Sequence, residues 1–112
     1  MNRSEFEARL GRFGLALAVF QQSCYYGNSD GWSLTLRPYP SEVINEAKLT
    51  VEIAKLHNLS AVIDSFLVAA GVPRTTGISE ALAARRHHRE QIGERQVVVS
   101  PADMEIIIDI KE

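Results

Sequence analysis

The residues able to do chemistry are few and scattered: three histidines, His57, His87 and His88, one cysteine, Cys24, and carboxylates without a common spacing. His87 and His88 cannot both face one metal from a helix, because neighbours there diverge by ~100°. His57, Asp64 and Cys24 include the residue types of a nucleophile arrangement, yet no spacing brings them together. Cys24 reads as a small buried hydrophobe. Asp64 lies inside the apolar stretch LSAVIDSFLVAAG, so its carboxylate needs either an arginine partner or a solvent-facing line. Asp30 lacks the spaced oxygens of a calcium loop, and Gly71 and Gly77 lack the flanks of a phosphate loop. No catalytic residue, metal ligand or cofactor site is therefore assigned.

Binding groups stand out more clearly. After Gly71, Ile78 and Ser79 form a staple-and-cap start for a helix running to about Ile92, with Gly93 as its stop. On that helix Leu82, Arg85, Arg86 and Arg89 share one side, which makes a local basic face in an acidic chain. Guanidinium forks there would grip the oxyanions of an acidic partner or a phosphate backbone. The second group is aromatic. Tyr25, Tyr26, Trp32 and Tyr39 gather around the turn-rich segment YYGNSDG and the strand after it, and such side chains are favoured at contact surfaces.

Within FLVAAGVPRTTGISEAL, the residues Ala70-Gly71-Val72, Arg74-Thr75-Thr76, Ile78 and Leu82 resemble the turn and second helix of a helix-turn-helix DNA-binding unit. The match is degenerate: Leu67 stands where such motifs carry a small residue, and Gly77 falls inside the second helix. The resemblance implies DNA contacts from Arg74, Thr75, Thr76, Arg85, Arg86 and Arg89, over about residues 62–89.

The elements that would position these groups follow from periodicity. Ser41 to Gly71 carries the densest apolar content, and Leu49, Ile53, Leu56, Ile63, Phe66 and Ala70 recur at mostly helical spacing. One bent helix or two short ones, broken near His57 to Ser60, are both open. A competing strand reading rests on the alternation Leu49, Val51, Ile53. Near the N-terminus, Ser4 and Glu7 form a capping box, and Phe6, Leu10, Phe13, Leu17, Phe20 and Cys24 continue as an amphipathic helix. Trp32 to Leu36 alternates as a half-buried strand, with Trp32, Leu34 and Leu36 toward the core. Gln96 to Val99 and Met104 to Ile110 form two antiparallel strands, with Ile107 on an otherwise polar face.

The expected fold is therefore α+β: three or four helices with a small antiparallel sheet, built from a strand near 32–36 and a C-terminal hairpin near 96–110. Its 112 residues suit one domain over 1–112 with a core that needs neither disulfide nor metal. A net charge of −2 argues against a surface built wholly for nucleic acid. No apolar run spans a membrane, and Glu5 and Glu7 sit where a signal peptide would be basic, which points to a cytoplasmic protein. The function expected is a small non-catalytic protein-protein interaction module, such as an accessory regulator, inhibitor or assembly factor. It would act on a protein partner through the arginine face and the aromatic loop, as a homo-oligomer. The alternative is a DNA-binding transcriptional regulator using the degenerate helix-turn-helix.

Overall fold

A computed structural model describes residues 1–21 and 24–112, with side chains described outside 17–26. Its centre is a seven-stranded antiparallel sheet in the order β1-β2-β3-β4-β7-β6-β5. The strands are β1 (Ala16–Gln21), β2 (Cys24–Ser29), β3 (Trp32–Arg37), β4 (Glu46–Glu52), β5 (His88–Ile92), β6 (Arg95–Pro101) and β7 (Glu105–Lys111). Three helices accompany it: α1 (Arg3–Gly11), α2 (Ser60–Ala69) and α3 (Thr76–Ala84), with a 3₁₀ helix over Ile53–Leu59 leading into α2. The class is α+β as expected, but the sheet is large rather than small. Three stretches assigned to helix contribute strands to it.

The first correction lies near the N-terminus. The cap of α1 is Asn2, whose side chain accepts from the Glu5 amide at 3.2 Å, in place of the Ser4 and Glu7 box. Phe6 and Leu10 are buried on its inner side, but the helix ends at Gly11 and Gly14 turns the chain with φ +84°. Continuing through two glycines would cost roughly 1 kcal/mol at each. The chain instead enters β1, which pairs antiparallel with β2.

The second correction is the stretch from Ser41. Residues 46–52 form β4, the strand in the middle of the sheet order, hydrogen-bonded to β3 on one side and β7 on the other. Ala47, Leu49 and Val51 are fully buried while Lys48 and Thr50 are half-exposed, which is the alternation of the competing reading. Spacings of four, such as 47 to 51, satisfy a period of two as well as one of 3.6. Only from Ser60 does a helix form, and Gly71 follows its end with φ +69°.

The third correction concerns the basic helix. Thr75, not Ser79, caps α3, and the helix stops at Ala84 because Arg85 takes left-handed angles, φ 55°. His88–Ile92 is then a sheet-edge strand, and Gly93, φ 59°, sits in the turn between β5 and β6 rather than ending a helix.

Strand β3 and the hairpin of β6 and β7 lie where the sequence pattern puts them. Leu34, Leu36, Leu49, Val97, Val99, Ile106, Ile108 and Ile110 point to one face of the sheet and are covered by the helices. There α1 packs on α2, with the Phe6 and Phe66 rings 5.6 Å apart at 52°. The opposite face, carrying Thr35, Lys48, Thr50, Val98, Ile107 and Asp109, is half-exposed among the described residues. Among the described residues no helix is long and apolar enough to cross a membrane.

Candidate functional site

A groove that combines apolar and polar chemistry lies between the limbs leading into and out of α2. Leu56, His57, Ser60 and Ile63 come from the 3₁₀ helix and the start of α2; Arg74, Ser79, Leu82 and Ala83 come from α3 and the residue before its cap. Local chemistry sets this geometry. Gly71 reverses the chain after α2, Val72 is buried as an anchor, and the Thr75 hydroxyl accepts the Ile78 amide at 3.2 Å to start α3. Ile63 and Leu82 are nearly fully buried and form the floor, while His57, Ser60 and Arg74 are exposed at the rim.

Arg74 organises the rim. Its Nη1 donates to Asp64 Oδ1 at 2.7 Å and its Nε donates to Ser79 Oγ at 3.2 Å, so both helices hold one guanidinium. Asp64 thereby has both the arginine partner and the exposure that its setting required. An exposed ion pair of this kind is worth only ~0.2–1 kcal/mol, so an incoming carboxylate can share or displace Asp64 at little cost. The groove can thus take an apolar side chain on its floor and an oxyanion at its edge.

The other sequence-assigned residues are not brought together. Arg85 and Arg86 lie beyond the end of α3, where cations complement the helix carbonyls, and Arg86 Nη2 is 3.9 Å from Glu80 Oε2. Arg89 sits on β5, opposite Val98. No common helix face carries the three, because the helix ends before the first of them. Trp32 is 4% exposed and packs in the core. Tyr39 packs under the Arg3 guanidinium, 5.1 Å from its ring centre, where Arg3 also donates to the carbonyls of Pro38 at 2.5 Å and Ser41 at 2.9 Å. The side chains of Cys24, Tyr25 and Tyr26 lie outside the described residues; in register, Tyr25 stands opposite Leu36 and Tyr26 opposite Thr35.

His88 has a structural partner set. Its Nε2 is 2.7 Å from Glu90 Oε1, which also accepts from Thr75 Oγ1 at 2.8 Å. The bond to His88, then that to Thr75, holds the Glu90 carboxyl below the usual range. A Cβ at Gly77 would stand 2.6 Å from the His88 ring, so this glycine permits the close approach of α3 to β5. Thr76, Glu80, Ala83 and Ala84 are the exposed positions of α3, and none is basic. In the sequence Arg74 is singled out only within the degenerate helix-turn-helix, and Leu56, His57 and Ser60 line the groove only through the fold. No group of three or more His, Cys, Asp or Glu side chains able to hold a metal occurs among the described residues.

No family model, curated protein or solved structure matches the chain.

Proposed function

We propose that the protein is a non-catalytic interaction module that seats a short segment of a partner protein in the groove between α2 and α3. The observation that carries this reading is the juxtaposition of an apolar floor, Ile63 and Leu82, with the Arg74 guanidinium at the rim. A segment with an apolar side chain next to an aspartate, a glutamate or its own terminal carboxylate meets both. Regulator, inhibitor and assembly factor are all roles such a module can fill. The single cysteine suits a cytoplasmic setting for it. DNA binding by residues 62–89 has less support: α2 and α3 are joined by a short turn, but the exposed side of α3 offers Glu80 and no arginine.

Selection from a random peptide library on the immobilised protein tests the reading. Enriched peptides should pair an acid with an adjacent apolar residue, and their affinity should fall by at least ~10-fold in Arg74→Glu and in Ala83→Trp, which fills the groove. Failure to enrich any sequence, or enriched peptides that bind both variants as well as the parent, would overturn it.

A further inference from the structure

We propose, taking the groove between α2 and α3 as the partner site, that what enters it is a free chain end. The C-terminal residue of the partner lays its carboxylate on Arg74, its backbone N–H on Asp64 and an aliphatic side chain on the apolar floor.

Hydrogen-bonding capacity left over at the rim carries this assignment. Arg74 uses Nη1 for Asp64 and Nε for Ser79, while its Nη2 has no partner among the described residues. Ser79 Oγ accepts from Arg74, so its own hydrogen remains to be donated. Arg74 Nη2 and the Ser79 hydroxyl are thus neighbouring donors, enough to hold both oxygens of a carboxylate. Asp64 accepts from Arg74 through Oδ1 alone, and its Oδ2 has no hydrogen-bond partner among the described residues. The rim therefore offers an acceptor as well as donors. Asp64 and an incoming carboxylate take different nitrogens of the guanidinium, whose charge offsets their repulsion.

Placement on the helices matches a single residue. Ser79, Leu82 and Ala83 are spaced three and four apart along α3, and Ser60, Ile63 and Asp64 have the same spacing along α2, so each helix carries polar and apolar groups on one line. Carboxylate donors, N–H acceptor and floor are thus about one helical turn, ~5 Å, from one another. A terminal residue bears carboxylate, N–H and side chain on one Cα, within a few bond lengths of each other. An aspartate or glutamate side chain brings a carboxylate with no N–H in a fixed place beside it, and it freezes more rotors on binding. The cavity of about 280 Å³ lies just below the ~300–1,000 Å³ of small-molecule sites, which suits one residue of aliphatic size. A charged final side chain would instead be desolvated against Ile63 and Leu82.

Binding of the full chain to random hexapeptides decides the matter, with one set anchored by the N-terminus and ending in a free carboxylate, and the same sequences anchored through that carboxylate. Binding should be confined to the free-carboxylate set, with leucine, isoleucine, valine or methionine last. A strong binder remade as its C-terminal amide should lose at least ~10-fold in affinity. Methylating its last peptide nitrogen should cost several-fold against the wild-type chain and nothing further against Asp64→Ala, which has already lost the acceptor. Arg74→Ala should bind acid and amide alike. Circular dichroism checks that both variants fold; if one does not, the comparison of acid with amide on the wild-type chain still decides. Peptides that bind equally as acid and amide, and that depend on an internal aspartate or glutamate, would overturn the chain-end assignment and leave the groove as the partner site. No binding by either set would overturn both. Free leucine binding as tightly as the peptides would also overturn the assignment, because the ligand would then be an amino acid and not a partner's end.

Discussion

The Thr75 hydroxyl donates to Glu90 Oε1 at 2.8 Å, tying the first turn of α3 to the edge strand that follows it. The same hydroxyl caps the helix, so Thr75→Ala removes two bonds and should destabilise the protein by about 1–2 kcal/mol, whereas Thr75→Ser should retain most of that. Urea denaturation midpoints measure the difference. Because Glu90 is held below its usual range, the stability it adds is present above the ordinary value of 4.5 and is lost as pH falls through the depressed one. Glu90→Gln should flatten that part of the acid limb.

Gly77→Ala should destabilise the protein, although alanine is the better helix former by ~1 kcal/mol, because its Cβ would meet the His88 ring at 2.6 Å. In a His88→Ala background the same substitution should become less costly or stabilising. A thermal-melt double-mutant cycle reads this reversal; equal effects in both backgrounds would contradict the close approach.

Asp109 sits half-buried on the uncovered face, and its Oδ1 has no hydrogen-bond partner. Burial, then the neighbouring Glu46 carboxyl, pushes its pKa from 3.8 to about 6, against the pull of Lys111 and Lys48. Between those values the folded chain holds a proton that the unfolded chain has released, so this group makes stability fall as pH rises from about 4 to about 6. Asp109→Asn should remove that fall. At neutral pH, discounting for solvent screening, it should stabilise the protein by about 1 kcal/mol. Chemical denaturation across that range is the test.

Arg74→Ala should cost less than about 1 kcal/mol of stability, since its pair with Asp64 is exposed. Its effect on a groove-selected peptide should be several-fold larger in the binding constant than in the folding constant. Equal effects on both would assign Arg74 a purely structural role.

Trp32, the only tryptophan, should emit as a buried indole that iodide quenches poorly and that shifts to longer wavelength on unfolding. An exposed emission in the native protein would favour it as a contact residue.

Residues with one dominant local preference were legible in the sequence. Alternation at Trp32, Leu34 and Leu36, and at Ile106, Ile108 and Ile110, can only describe a strand with one buried face, and each of these side chains is buried. Gly71 marks the end of α2 for a backbone reason, its positive φ, that no neighbour alters. Asp64 needs either an arginine or a solvent-facing line, and it has both, with Arg74 as its partner.

Where two periods coincide, the local pattern could not decide. Leu49, Val51 and Ile53 alternate within a stretch that also carries helical spacing, and β4 forms because β3 and β7 offer hydrogen bonds on both sides. The run from Arg85 to Arg89 read as one helical face until Arg85, at φ 55°, ended the helix and β6 paired with what followed. The same pairing separated Arg89 from Arg85 and Arg86.

The sequence by itself determined the α+β class, the core residues of β3, β6 and β7, and the stop after α2, because each rests on alternation or on a backbone angle that a single residue type imposes. Only the tertiary structure decided the size of the sheet, the groove beside Arg74 and the polarity of the uncovered face. The sheet and its face depend on hydrogen-bonded neighbours far apart in the chain, where strand pairing overrides a local helical preference of a few tenths of a kcal/mol per residue, and the groove depends on how α3 folds back beside α2.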